Sequence, residues 1–204
     1  MIVYDFEQYS PEYWAKKIGK PSAGSFDCIV TSTGQNSTSW KSYAYKLAGE
    51  LETGKPAETH QSEWMTRGLE IEDEARGAFG LINDVDVYPA GLVFKDEAES
   101  VLCSPDGFFK GEDGLLHGLE IKCPSPGVHA QYRHERKLPT KYAHQVWGSL
   151  WICDEVESWF FFSYHPDMAP FQIEVTRQTL DYIAYAQKLD TAIPEFLEKL
   201  KGIK

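Results

Sequence analysis

The sequence predicts an α/β fold in the order helix, three strands, helix, strand, with added helices at the N- and C-terminal ends. Three observations carry this. A charged, helix-forming stretch closes near Ile82, three strand-like segments cut by turn residues follow between Val85 and Cys123, and a helical pattern over Tyr142 to Ile152 leads into the aromatic run Ser158 to Tyr164. At 204 residues, with 42% hydrophobic and 14% aromatic content, a single domain over residues 1–204 with a substantial core is expected.

Each element has a local reason. Ser10-Pro11-Glu12 is a helix start, with Ser as N-cap and Pro in the first turn, and Gly19 is a stop. Ser25-Phe26-Asp27 begins a second, short helix, and Ser39 to Leu51 forms a third that ends around Thr53-Gly54. A long helix is expected from about Ser62 to Ile82, in which Glu72 and Arg76 make an i,i+4 pair. Strands are expected over Val85 to Phe94, Val101 to Lys110 and Leu116 to Cys123, the last two parted by the turn formers Lys110-Gly111-Glu112-Asp113-Gly114. Tyr142 to Ile152 reads as a helix, Ser158 to Tyr164 and Phe171 to Val175 as strands, and Arg177 to Lys201 as a closing helix that contains Pro194. No internal repeat or low-complexity tract is evident.

The chemistry concentrates in two neighbouring segments, Ser104-Pro105-Asp106-Gly107 and Leu119-Glu120-Ile121-Lys122. On a strand, Leu119, Ile121 and Cys123 face one way and Glu120 and Lys122 the other. A hairpin would bring Asp106 to the same end of the neighbouring strand. Two carboxylates and an ammonium are the minimal set for metal-dependent phosphodiester hydrolysis: the carboxylates hold a hard cation and the ammonium sits beside the phosphate. An acidic-x-Lys triplet alone is weak, since on the order of one is expected by chance in such a chain. Glu135-Arg136-Lys137 also fits, but it lies in a polar run without alternation and reads as a solvated face. Ser-Pro-Asp-Gly alone is good turn chemistry. The combination is what points to a site.

Composition narrows the setting. The formal net charge of −11 runs against simple phosphate neutralisation. A carboxylate metal site is itself acidic, however, and bound cations offset its charge. Candidate basic segments are Lys16-Lys17 with Lys20, and Arg133, Arg136, Lys137 and Lys141. No apolar run approaches the ~18 residues a membrane span needs. The N-terminus lacks the basic-then-apolar layout of a secretory signal, so a cytoplasmic location is expected. Cys28, Cys103, Cys123 and Cys153 are widely spaced, without a Cys-x-x-Cys pair, which favours reduced core thiols over an iron–sulfur cluster.

From about Trp14 to Met168 the sequence resembles the YqaJ-like viral alkaline exonucleases, the lambda-exonuclease family of the PD-(D/E)xK nuclease superfamily. The resemblance rests on Ser42-Tyr43 leading to Thr53-Gly54, on Gly68-x-x-x-Glu72-x-x-Ala75-Arg76, on Cys103-Ser104-Pro105-Asp106-Gly107, on Gly118-Leu119-Glu120-Ile121-Lys122-Cys123-Pro124, and on Gln145 in the following helix. It implies a restriction-endonuclease-like core. It implies that Asp106, Glu120 and the Ile121 carbonyl ligate Mg²⁺ or Mn²⁺, that Glu72 holds a second cation or orients water, and that Lys122 and Gln145 serve the reaction. The resemblance also implies a pocket near the N-terminus for a terminal 5′-phosphate, built as in the lambda enzyme from one Ser and two Arg. Ser25 falls at the Ser position, as the N-cap of a helix, whereas Ile18 and Gln35 fall at the Arg positions, so Lys17, Lys20 or Lys41 would substitute.

The activity so implied is Mg²⁺-dependent 5′→3′ digestion of one strand of linear double-stranded DNA, exposing 3′ single strands for recombination by single-strand annealing. The resemblance further implies a homotrimeric toroid, a phage or prophage origin within a bacterial host, and a single-strand-annealing protein as partner. Two other readings stay open: a repair endonuclease of the same superfamily, and a non-catalytic DNA-binding module on the same fold.

Overall fold

The computed structural model of the chain describes residues 1–57 and 71–203. The part of the expected Ser62–Ile82 helix that precedes residue 71, with Gly68, lies outside them. Two sheets organise the described residues. The larger has five strands in the order β2-β5-β6-β7-β8, and the smaller has three in the order β1-β3-β4. The strands are β1 (Ile2–Tyr4), β2 (Val87–Tyr88), β3 (Leu92–Phe94), β4 (Leu102–Cys103), β5 (Gly107–Lys110), β6 (Leu116–Lys122), β7 (Ser158–His165) and β8 (Met168–Thr176). The helices are α1 (Pro11–Lys17), α2 (Trp40–Thr53), α3 (Glu72–Asn83), α4 (Pro126–Glu135), α5 (Thr140–Ile152) and α6 (Leu180–Lys201), with a 3-10 segment at Ala23–Cys28.

The expected element order holds, and its departures have local causes. The stretch Val85–Phe94 is two strands, because Pro89 has no N–H to donate and the chain leaves one sheet for the other there. Val101–Lys110 divides in the same way around Pro105, into β4 and β5. Gly91 sits at the first crossing: a methyl group there would stand 2.3 Å from the Phe6 carbonyl. The described helix α3 begins at Glu72, and β1 and α4 are additional to the expected elements. Part of the run Arg133–Lys137, read as merely polar, is the last turn of α4, which ends at Arg136 in the left-handed conformation (φ 50°). The other boundaries agree closely. Ser10 accepts from the Tyr13 amide with Pro11 at the first turn, and Gly54 closes α2 at φ 65°.

Within the large sheet β2, β5 and β6 are antiparallel, while β6 runs parallel to β7. Parallel neighbours need a long crossover, and α4 and α5 supply it. One sheet face packs against α3: Ala75 and Phe79 meet Phe109, Leu119, Ile121 and Phe162. Phe79 is ringed by Phe109, Phe160 and Phe162 at centroid distances of 5.2, 5.7 and 5.2 Å. The other face meets the main core, where Trp159 and Phe161 join residues of the 3-10 segment, α2, α5 and α6. Both faces of β6 are thus covered, and Glu120 is fully buried. Arg177 closes the end of α5 by donating to the carbonyls of Leu150, Cys153 and Val156.

Gly118 lies beside Trp159 in the β6–β7 register, and a methyl group there would fall 2.3 Å from the indole. Gly118→Ala is therefore expected to destabilise the fold by about 1–3 kcal/mol, read as a lower urea midpoint with an unchanged slope.

Candidate active site

Strands β5 and β6 pair from Gly107 opposite Leu119 to Lys110 opposite Leu116, and they part beyond Gly107. Asp106 occupies the parting point. Its amide donates to the Leu119 carbonyl (3.1 Å), and its Oδ2 accepts from the Ile121 amide (2.6 Å). The carboxylate thus takes the place of a strand partner. N–H and C=O of one strand residue project to the same edge, so the Ile121 carbonyl also lies on the Asp106 side. Gly107 allows the close approach of β2: a methyl group there would meet Val87 Cγ1 at 2.6 Å.

Glu120 and Lys122 share the opposite face of β6 from Leu119 and Ile121. The Lys122 ammonium contacts Glu120 Oε1 and stands 5.3 Å from the centroid of Tyr142 on α5. Glu120 Oε2 is buried without a hydrogen-bond partner among the described residues. Such an atom is costly unless something else meets it.

Glu72 arrives from the first residue of α3 and is steered by Arg76, which ties three groups together. The guanidinium donates to Glu72 Oε1 (2.9 Å) and to the Asp106 carbonyl (2.8 Å), and it also binds Asp73. One side chain thereby locks the start of a helix to the start of a strand.

The electrostatics show that these groups act on one another. Burial pushes Glu72 up to about 7, with Asp106 adding repulsion and Arg76 and Lys122 opposing it. Burial pushes Glu120 up to about 8; Lys122 pulls it back, and Asp106 and Glu72 push it further. Asp106 is raised mainly by burial, against Lys122, the Ile121 amide and Arg76. Burial works to lower Lys122, but Glu120 and Asp106 outweigh it, so Lys122 ends raised and charged. Three mutually repelling carboxyls share the Lys122 ammonium and the Arg76 guanidinium, so negative charge is in excess once all three ionise.

The donor set is oxygen-only and fits a hard divalent cation of the magnesium or manganese type. The orphaned Glu120 oxygen and the crowded Asp106 and Glu72 carboxylates are what such an ion would satisfy. As they stand, no three His, Cys, Asp or Glu side chains among the described residues converge tightly enough to ligate one ion.

The YqaJ-like viral recombinase domain matches this chain over residues 12–155, a span that includes Glu72, Asp106, Glu120 and Lys122. The chain belongs to that family. Its fold is also that of an alkaline exonuclease from Laribacter hongkongensis, LHK-Exo, at 21% identity, 95% coverage of this chain, 96% of that one and a TM-score of 0.77. The complex of LHK-Exo with dAMP matches at 21% identity, 96% coverage of both chains and a TM-score of 0.78. A phage-related exonuclease from Haemophilus somnus 129PT matches at 14% identity, covering 90% of this chain and 95% of its own, with a TM-score of 0.61. No curated protein matches. The α/β core expected from the sequence is thus the fold shared with these exonucleases.

The other residues expected to serve a YqaJ-like site are placed unevenly. Gln145, on α5 one turn after Tyr142, faces the 3-10 segment, where a methyl group on Gly24 would stand 3.9 Å from its amide. Ser25 does not cap a helix. It lies inside the 3-10 segment, whose N-cap is Ser22. The helix expected there is a six-residue 3-10 turn because Ser25 itself leaves helical geometry (φ −129°, ψ 16°). Lys17 donates to the Tyr13 hydroxyl (2.6 Å), and burial lowers its ammonium to about 8. Lys20 donates to the Lys16 carbonyl (2.8 Å), while Lys41 is exposed beside Trp40. Arg133 and Arg136 line a groove of about 420 Å³ against Pro170–Ile173 of β8, two strands from Glu120, and Lys137 pairs with Glu135 (3.6 Å). In the sequence Arg76 is legible as the i,i+4 partner of Glu72 and as part of the Gly68–Arg76 motif. Its bond to the Asp106 carbonyl bridges 30 positions of sequence, and no local pattern signals such a contact.

The raised Glu120 has a consequence for stability. A carboxyl whose folded pKa is about 8, against an ordinary 4.5, is bound to its proton more tightly in the folded state. Its stabilising contribution is full below about 4.5 and is lost as pH rises through about 8. In chelator-containing buffer, Glu120→Gln is expected to gain stability relative to the wild type between pH 5 and pH 8, measured by urea unfolding at each pH. A difference that stays flat would contradict the burial of an ionisable Glu120.

Proposed function

We propose that this chain is a Mg²⁺-dependent 5′→3′ exonuclease that acts on linear double-stranded DNA and exposes 3′ single strands for annealing. The observation that carries the reading is the cluster at the parting of β5 and β6: Asp106 and Glu120 buried beside Lys122, with one Glu120 oxygen unpartnered. A non-catalytic module would gain nothing from burying such a set, since each carboxylate carries a desolvation cost. Family membership and the likeness to alkaline exonucleases support the same reading.

Asp106, Glu120 through its free Oε2, and the Ile121 carbonyl would hold the cation, with Glu72 serving a second ion or the attacking water. When bound, the cation supplies an activated water and neutralises charge on the phosphate. The protein groups do the rest. Lys122 stabilises the charge that develops on the phosphate oxygens. Arg76 keeps Glu72 and Asp106 in register, and the rigid strand pair holds the carboxylates in place as the phosphate charge changes. No covalent intermediate is needed. Gln145 stands on the helix that borders the site through Tyr142 and would contact the substrate backbone. Ser25, Lys17, Lys20 and Lys41 on the N-terminal side, and Arg133, Arg136 and Lys137 around the α4 end, are the proposed contacts to DNA phosphates. A homotrimeric ring would enclose the duplex, and a single-strand-annealing protein of the same phage or prophage would receive the product in the host cytoplasm. No helix among the described residues is long and apolar enough to cross a membrane.

The test is digestion of a 5′-phosphorylated linear duplex, a 5′-hydroxyl duplex and a closed circle, each with Mg²⁺ and with EDTA. Metal-dependent loss of only the linear DNA is expected, with nucleotides released from the 5′ ends. Cutting of the circle would instead mark an endonuclease, and absence of any cutting a binding module. Lys122→Ala is expected to lower the rate on the order of 10²- to 10³-fold. Arg76→Ala, which removes only the clamp, is expected to cost about 10- to 100-fold in rate or in Mg²⁺ affinity.

A further inference from the structure

Tyr9 holds an unusual place at the rim of this site. Its backbone is left-handed, with φ 68°, which is uncommon for any residue with a side chain and more so for a bulky one. The ring is 53% exposed, so filling the core does not account for that conformation. Core packing in this region falls to its neighbour Tyr13, which is fully buried.

The ring is nevertheless fixed. It contacts Tyr13 at 5.6 Å between centroids and Trp14 at 6.1 Å, with interplanar angles of 51° and 46°. Tilted contacts of this kind hold a ring by its flank and leave a face open. The residues around Tyr9 are bound to the segment that delivers Asp106. Gln8 donates to the Pro105 carbonyl (3.1 Å) and to the Ala90 carbonyl (3.3 Å), and the Tyr13 hydroxyl donates to Ser104 (3.3 Å). Tyr9 thus follows directly on a residue that is bonded to the turn carrying Asp106. The Tyr9 hydroxyl is raised to about 12, chiefly by burial, with Tyr13, Glu72 and Asp106 adding to the shift and Lys122 opposing it.

We propose that Tyr9 is the stacking platform for the nucleobase of the nucleotide whose phosphodiester bond lies at the carboxylate cluster. The inference deepens the nuclease reading and rests on it. An enzyme that removes nucleotides one after another must position every base, and a π-face does so without reading sequence. The Gln8 bond to the Pro105 carbonyl ties the backbone next to Tyr9 to the turn that carries Asp106, and the Tyr13–Trp14 corner supports the ring from its flank before DNA arrives. Tyr9 is thus a positioning residue, acting on the substrate base while Asp106, Glu120 and Lys122 act on the phosphate.

A linear duplex carrying 2-aminopurine at the 5′-terminal nucleotide tests this, because stacking changes the emission of that base. In EDTA, where no cleavage occurs, the wild-type chain is expected to quench the probe, and Tyr9→Phe and Tyr9→Trp to quench it as well. Tyr9→Ala should lose the quenching while its melting temperature stays at the wild-type value. With Mg²⁺, Tyr9→Ala should raise KM for linear duplex about 5- to 150-fold and leave kcat nearly unchanged. Equal quenching by Tyr9→Ala and wild type would overturn the proposal. Loss of quenching in Tyr9→Phe would overturn it too, since it would assign the role to the hydroxyl. The two readings fail separately: a wild-type chain that digests DNA but quenches independently of Tyr9 refutes only the platform. One that quenches through Tyr9 but never digests DNA refutes only the nuclease.

Discussion

Burial of the Glu120 carboxylate is the constraint on which the site and much of the surrounding fold depend. A fully buried carboxylate is tolerated only where charge and hydrogen bonds meet it. Lys122 meets one oxygen from two residues along the same strand face. The other oxygen has no partner, and Asp106 and Glu72 add negative charge instead of relieving it. The arrangement is short of positive charge, in a place where the sheet cannot open without losing the aromatic packing of both faces. That imbalance is what a cation and a substrate phosphate would act upon.

The scaffold meets this demand by fixing backbone before side chains. Asp106 is held at its amide, its carbonyl and its carboxylate, by Leu119, Arg76 and Ile121 respectively. Little freedom is left to it. Gly107 and Gly118 remove the side chains that would hold β2 and Trp159 away from the β5–β6 pair. Arg76 adds a link across the layers, so that α3 carries Glu72 to the site while its apolar residues Ala75 and Phe79 press on the far face of the same strands. The geometry of the carboxylate cluster and the packing of the core are thus served by one helix, and a change in either moves the other.

The small sheet and the N-terminal segment form the second support. β3 and β4 present Leu92, Phe94 and Leu102 to Tyr13 on one side and Val93 and Cys103 to the main core on the other. Lys17, Tyr13, Ser104 and the Gly91 carbonyl make a continuous run of hydrogen bonds beneath the Asp106 turn. Lys17 and Lys20 also donate within the protein, to the Tyr13 hydroxyl and the Lys16 carbonyl, and each ammonium keeps further N–H donors for a phosphate.

Much of this was legible in the linear chain. The alternation Leu119-Glu120-Ile121-Lys122 determined which side chains face α3 and which face α5, because a strand has period two and only one face could carry the charges. Ser10, Pro11 and Gly54 determined the ends of helices through local hydrogen bonding and left-handed geometry. Tertiary structure decided the rest. Pro89 and Pro105 signal interruptions in the sequence, but only packing shows that the chain changes sheets at each. Ser25 opens a capping pattern in the sequence, yet in the fold its backbone leaves helical geometry inside the 3-10 segment. The Arg76 bridge, the Tyr142 ring beside Lys122 and the Gln8 anchor next to Tyr9 join residues far apart in sequence. The sequence by itself determined the chemistry available, because residue type and strand period are local. Which groups share a site was decided only by the fold, because those contacts exist once distant segments are packed together.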